Sequence, residues 1–279
     1  MLYLLGANAT TSEWRGARIC SKVASLKMIK RFAIAVWVAV FLPIINAAQA
    51  PPVRVLASNG VRAVLQDLIP ERERAVGQPL AVEFGTSASI KRKIEANEPF
   101  DVTILASDVI DDLIKAGKLA RSRRTEIGRS GVGVGVRRGA AKPDIRTSEA
   151  MKQTLLSATN ITYGEEGASR PAIDKMIREL GIADGLKTKT SLTKSVDESM
   201  DRIRRGTSDI VITLISEIVP VKDAEFAGPL PASFQGYVTF STGISVGSRS
   251  ATAAQALIRF LTGPAGSGAF KAKGFEPHR

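Results

Sequence analysis

The sequence predicts an α/β fold of two similar halves, each a sheet with helices on both faces, joined by two long crossover strands. Three observations predict it. Short apolar runs alternate with apolar residues at helical spacing, giving β-α-β-α-β-α at the start of the folded region. A second alternating set follows residue 147. Two longer alternating stretches, 128–138 and 237–247, lie between and after these sets, where strands passing from one half to the other belong.

The first fifty residues stand outside this pattern. Met28-Ile-Lys-Arg opens a positive segment, Phe32 to Ile45 is an uncharged apolar run of fourteen, and Ala48-Gln49-Ala50 gives small residues around a cleavage point. This is the layout of a secretory signal peptide cut near Ala50, with 1–27 an upstream extension. The apolar run is short for a membrane span of about twenty residues. Of 39 basic and 27 acidic residues, six basic and one acidic fall in 1–50, so the expected mature chain carries 33 against 26, a charge of +7. Cys20, Trp14 and Trp37 leave with the same segment, so no thiol chemistry or disulfide framework remains.

The elements then follow in order. Val53–Ser58 reads as a buried strand, and Val61, Val64, Leu65 and Leu68 as one helix face. Leu80–Phe84 is the second strand, Ile90 and Ile94 mark a helix stopping near Asn97, and Val102–Ala106 is the third strand. Ser107-Asp108 is a candidate cap for a helix that Gly117 ends. Gly128–Gly139 has Val136 where a dinucleotide fingerprint needs its third glycine. With Val132, Val134 and Val136 alternating, it reads as a strand that something approaches closely. Thr147–Ser157 is a helix and Ile161–Gly164 a strand. Ile173 to Leu180 and Val196 to Ile203 are helices closed by Gly181 and Gly206. Asp209–Ile215 is a buried strand, Tyr237–Gly247 a long one, and helices follow from Ala254 and from Pro264. The domain expectation is one lobe from 51–128 with the return segment 237–279, and a second lobe from 129–236.

Composition excludes several chemistries. With 44% apolar and 24% charged residues the chain is neither disordered nor fibrous. Its single histidine is His278, so a histidine triad, general base or histidine-rich metal site is not expected. No Walker loop occurs. The acidic pairs Asp111-Asp112 and Glu165-Glu166 read as solvated surface. Basic residues are scattered and aromatics few, so no nucleic acid is expected as a partner. An enzyme on this scaffold would need Asp or Glu chemistry, and a carboxylate inside the cleft would be its signature.

Small polar residues at strand-to-helix junctions remain. They are Ser58-Asn59-Gly60, Gly85-Thr86-Ser87-Ala88-Ser89, Gly167-Ala168-Ser169 before Arg170-Pro171, and Ser195 before Val196. A helix start presents unpaired N–H groups and the positive end of a dipole. Each such serine or threonine alone is an ordinary N-cap. Four of them, at the carboxyl ends of strands in two α/β halves, point to an anion bound between the halves.

At these residues the chain resembles the molybdate-type periplasmic substrate-binding proteins of ABC importers, from Val53 to Pro277. The most specific stretches are Ser58 with its helix, Gly85-Thr-Ser-Ala-Ser, Ile94-Glu-Ala-Asn-Glu-Pro-Phe-Asp-Val102, and the ending Phe260 to Pro277. The resemblance implies a periplasmic-binding-protein-like fold with an interlobe cleft, an oxyanion held by hydroxyls and amides, an inner-membrane permease as partner, a monomer, and no catalytic residues. It needs no cofactor, and metal enters only as part of a bound oxyanion. By position it implies Ser58, Thr86 or Ser87, Ala168 or Ser169, and Val196 as ligand contacts. Asn59 neighbours the first, and Arg170 stands beside the third where it could pair with a carboxylate. Ile212 and Thr213 occupy the strand after which the family's molybdate binders often place a tyrosine hydroxyl. A small organic carboxylate, bound for transport or sensing, is the alternative ligand.

Overall fold

The computed structural model describes residues 50–276; the expected signal peptide and His278 lie outside them. β1 (Val53–Ser58) leads through a 3₁₀ turn (Asn59–Val61) into α1 (Arg62–Asp67) and α2 (Ile69–Val76). β2 (Leu80–Gly85), α3 (Ser87–Glu95), β3 (Val102–Ala106) and α4 (Ser107–Lys115) complete the opening units. The long β4 (Thr125–Arg137) follows, then α5 (Ser148–Ser157), β5 (Ile161–Gly164), α6 (Arg170–Glu179) and α7 (Ala183–Leu186). Next come β6 (Thr190–Thr193), α8 (Val196–Arg205), β7 (Ile210–Leu214), α9 (Ile215–Ile218) and β8 (Ala224–Pro229). β9 (Tyr237–Ile244), α10 (Ala251–Thr262) and α11 (Pro264–Ala272) close the chain.

The strands hydrogen-bond in the order β2-β1-β3-β9-β4-β7-β5-β6, with β8 also on β4. The βαβ units give parallel pairs: β1 with β2 and β3, and β5 with β6 and β7. β9 runs antiparallel to β3 and to the first half of β4, while the second half of β4 pairs antiparallel with β7 and β8. The two long strands therefore lie side by side at the middle, and the chain passes between halves along them.

Burial follows the two-residue period of a strand covered on both faces. Val53, Val55 and Ala57 of β1 face the main core, and Leu56 faces a second cluster with Ile90, Leu105 and Leu113. A third cluster packs Met200 and Ile203 of α8 on Val211 and Ile218. The glycines of β4 have the expected reason. A Cβ at Gly133 would stand 2.7 Å from the Phe226 ring and 2.9 Å from Ile215, and one at Gly135 2.9 Å from Ile218 and Val211. Glycine is required where β8 and α9 lie directly on the strand.

One expected cap is corrected. α4 starts after Ala106 with no side-chain cap, and Ser107 is its first residue. The Ser107 hydroxyl is 2.7 Å from that of Ser241 on β9, so it ties the helix to the neighbouring strand.

Candidate functional site

Four strand ends deliver small polar residues to one cavity of about 40 Å³. Ser58 ends β1; Thr86 and Ser87 follow β2; Gly167, Ala168 and Ser169 precede α6; Ser195 and Val196 start α8. Asn59, Lys194, Ser199, Thr213, Glu166 and Glu217 complete most of the lining. Of the residues expected from sequence, Ser58, Asn59, Thr86, Ser87, Ala168, Ser169 and Val196 are brought together there. Arg170 is not among the lining. Its Nε donates to Asp174 at 2.7 Å, its Nη1 donates to the Glu165 carbonyl at 2.9 Å, and the guanidinium lies 5.3 Å from the Tyr163 ring centre.

The hydroxyls are oriented by the backbone. Ser58 Oγ accepts the Gly60 N–H at 3.3 Å, Thr86 Oγ1 accepts that of Ser89 at 3.0 Å, and Ser195 Oγ that of Glu198 at 3.1 Å. Ser87 Oγ accepts the Ala106 N–H at 3.1 Å. An oxygen that accepts from an amide still has its own proton to give. Ser169, 7% exposed, makes no side-chain cap bond at the start of α6. Of the first-turn N–H groups, those of Ser89 and Glu198 are taken by the Thr86 and Ser195 hydroxyls, and those of Ser87 and Ala88 on α3 and of Val196 and Asp197 on α8 have no partner within their helices. These are donors without acceptors, the arrangement that suits an oxyanion.

A Ser87→Ala variant removes one such donor together with the hydroxyl that accepts from the Ala106 amide. Anion affinity should fall roughly ten- to hundredfold, since a hydrogen bond to a charged group contributes about 1.5–3 kcal/mol. Titration calorimetry checks this, and unchanged affinity would remove Ser87 from the site.

Charges frame the cleft. Arg62 of α1 donates from Nη1 to Asp197 of α8 at 2.8 Å and from Nη2 to Asn59 Oδ1 at 2.7 Å. Arg92 of α3 meets Glu166 at 3.3 Å. Both ion pairs join the opening units to the second set across the cavity; exposed pairs of this kind contribute about 0.2–1 kcal/mol each. Glu165 and Glu166 are exposed as the sequence suggests, yet Glu166 stands at the cavity edge. Lys194 is exposed and forms no ion pair among the described residues.

Glu217 is, with Lys194 and Ser199, a lining residue that sequence reasoning missed. It sits in the short α9, four residues after Thr213, whose hydroxyl donates to Glu217 Oε2. The Leu214 amide also donates to its carboxylate. Burial pushes the carboxyl above its ordinary value, against the lowering effect of these donors and of Arg62. The signal available was the single acidic residue within the apolar run from Ile210 to Val219.

A wider cavity of about 550 Å³ adjoins the first and shares Ser87, Gly167 and Ala168 with it. Ala88, Val109, Val132 and Ala172 give it apolar walls.

The bacterial extracellular solute-binding protein family matches this chain across residues 53–276. The chain belongs to that family. Among relatives of this solute-binding protein, an aconitate isomerase from Pseudomonas sp is 25% identical over 84% of this chain and 91% of the relative. The molybdate-binding protein ModA of Azotobacter vinelandii is 22% identical, covering 82% and 91%. The solved structure of the Azotobacter vinelandii periplasmic molybdate-binding protein superposes with a TM-score of 0.70 at 16% identity, covering 81% of this chain and all of that one. The molybdate-type resemblance seen in the sequence is therefore met in both relatives and structural neighbours, which are two-lobed periplasmic binding proteins.

Proposed function

We propose that this solute-binding protein is exported, cut near Ala50, and serves as the periplasmic, monomeric component of an ABC importer for a small anion. The lobes are 51–128 with 237–279, and 129–236. Ligand enters the open cleft, the lobes close about β4 and β9, and the closed form meets the inner-membrane permease. One observation carries this reading: hydroxyls and free amides from both sets of βα units line one small cavity. Family membership and the molybdate-binding relatives support it.

Calorimetry and thermal unfolding with molybdate, tungstate, sulfate and small carboxylates test it. One of these should bind, and at 100 times its Kd add about 2.7 kcal/mol of stability. No heat and no shift with any of them would sink the reading.

A second reading is favoured by Glu217 and by the relative named aconitate isomerase. The ligand would be an unsaturated polycarboxylate, with its carbon body in the adjoining 550 Å³ cavity. Glu217 would move a proton between two carbons, chemistry that needs no cofactor. Incubation with cis- or trans-aconitate in deuterium oxide separates the readings. Interconversion with deuterium uptake, lost in Glu217→Gln, supports catalysis; binding without exchange supports transport.

A further inference from the structure

A carboxyl group in an anion cleft is a contradiction unless a proton resolves it. We propose that Glu217 makes this cleft a proton-sharing site: the complex holds one proton between the Glu217 carboxyl and the bound anion. The cleft therefore takes an anion that brings its own proton, or a fully ionised one together with a proton from solvent. This deepens the anion-binding reading and rests on it.

The surroundings of Glu217 support the inference. On its own segment the carboxylate accepts from Thr213 Oγ1 and the Leu214 amide. Among the described residues no cation is ion-paired with it. Arg62 from α1 lowers its proton affinity from a distance, but that guanidinium is already held by Asp197 and Asn59. Asp197 from α8 acts in the opposite sense. Lys194, ahead of α8, is exposed, and Glu166, from the loop before α6, is paired with Arg92. Whenever Glu217 is ionised, an arriving anion thus meets a carboxylate with no dedicated counter-charge, in a cavity of about 40 Å³ that leaves little water between them. Burial has already moved the carboxyl toward its neutral form, so binding has less left to do. Once neutral, the carboxyl becomes a further donor.

The sign follows from linkage. A fully ionised anion binds the protonated form, so its affinity is full below the Glu217 pKa in the free protein. It falls by about tenfold per pH unit above that value. An anion with its own proton supplies what the carboxylate needs and keeps its affinity over the same range.

The experiment is calorimetry with sulfate, which carries no proton at neutral pH, and with hydrogen phosphate, which carries one. Each is titrated over a pH series in two buffers of different ionisation heat. Sulfate should take up about one proton per site and weaken with rising pH, while hydrogen phosphate should take up less. Glu217→Gln should flatten the sulfate profile and bind sulfate more tightly than the unsubstituted protein at high pH. Glu217→Asp, which keeps a carboxyl, should retain a slope. Sulfate binding without proton uptake, with the same profile in Glu217→Gln, would overturn the proton-sharing inference and leave the anion cleft standing. Failure of every anion to bind the unsubstituted protein would overturn both.

Discussion

Ala168→Asp should weaken anion binding on the order of a hundredfold. Ala168 stands between Gly167 and Ser169 at the start of α6, in the cavity lining and open to solvent. An aspartate there reaches the N–H groups the ligand would use, and it places a negative charge beside the ligand's own. Two like charges about 4 Å apart near a protein surface repel by about 4 kcal/mol at an effective dielectric of 20. Solvent and salt at an exposed position reduce this to about 3 kcal/mol, or roughly a hundredfold. Ala168→Ser, similar in size and uncharged, should bind nearly as the unsubstituted protein does. Calorimetry with the best anion of the panel measures both; equal affinity for Ala168→Asp and Ala168→Ser would mean that the ligand lies elsewhere.

Phe240→Ala should cost about 3–5 kcal/mol of stability. Phe240 is fully buried on β9, edge-to-face with Phe275 at 5.7 Å, and Phe275 meets Phe270 of α11 in the same manner at 4.9 Å. Removing the Phe240 ring leaves a cavity against Phe275 that its neighbours would have to collapse to fill. The loss also reaches the site. A Cβ at Gly60 would come within 2.6 Å of the Phe240 ring, so the Ser58-Asn59-Gly60 turn rests directly on it. Denaturant unfolding should show the loss, and anion affinity should fall with it because the Ser58 turn loses its support. A cost below about 1 kcal/mol would show that the neighbourhood repacks freely.

Much of this was legible in the chain because each βα unit states itself locally. Val53–Ser58, Val102–Ala106 and Ile161–Gly164 are apolar runs that end in small polar residues, and the following helices carry apolar stripes. Gly206 adopts the left-handed conformation that ends α8. β6 was not legible: Thr190–Thr193 is largely polar and lies at the sheet edge, where one neighbour suffices. β8 and α9 were missed for a related reason, since Gly228 and Pro229 read as a turn and four residues show no helical period. The hydroxyls of the site could be named because a cap residue and a ligand-binding residue occupy the same place on a strand end. Glu217 could not, because its meaning depends on Arg62 being taken by Asp197 and Asn59 from other segments. Arg170 misled for the opposite reason: its nearness in sequence to Ser169 did not fix its direction, and Asp174 one turn on did.

The pairing of β4 with β9 carries a mechanical consequence. Thr125–Gly131 lies antiparallel against Tyr237–Thr242, and the register slips between Glu126 and Gly128. A two-stranded ribbon stores elastic torque when its ends are counter-rotated, unlike a single flexible tether that swivels freely. Rotation of the two ends against each other is therefore sprung toward a preferred angle, and it concentrates at Ser130–Gly131 against Tyr237–Val238, between the β3 pairing that ends at Phe240 and the β7 pairing that begins at Val132.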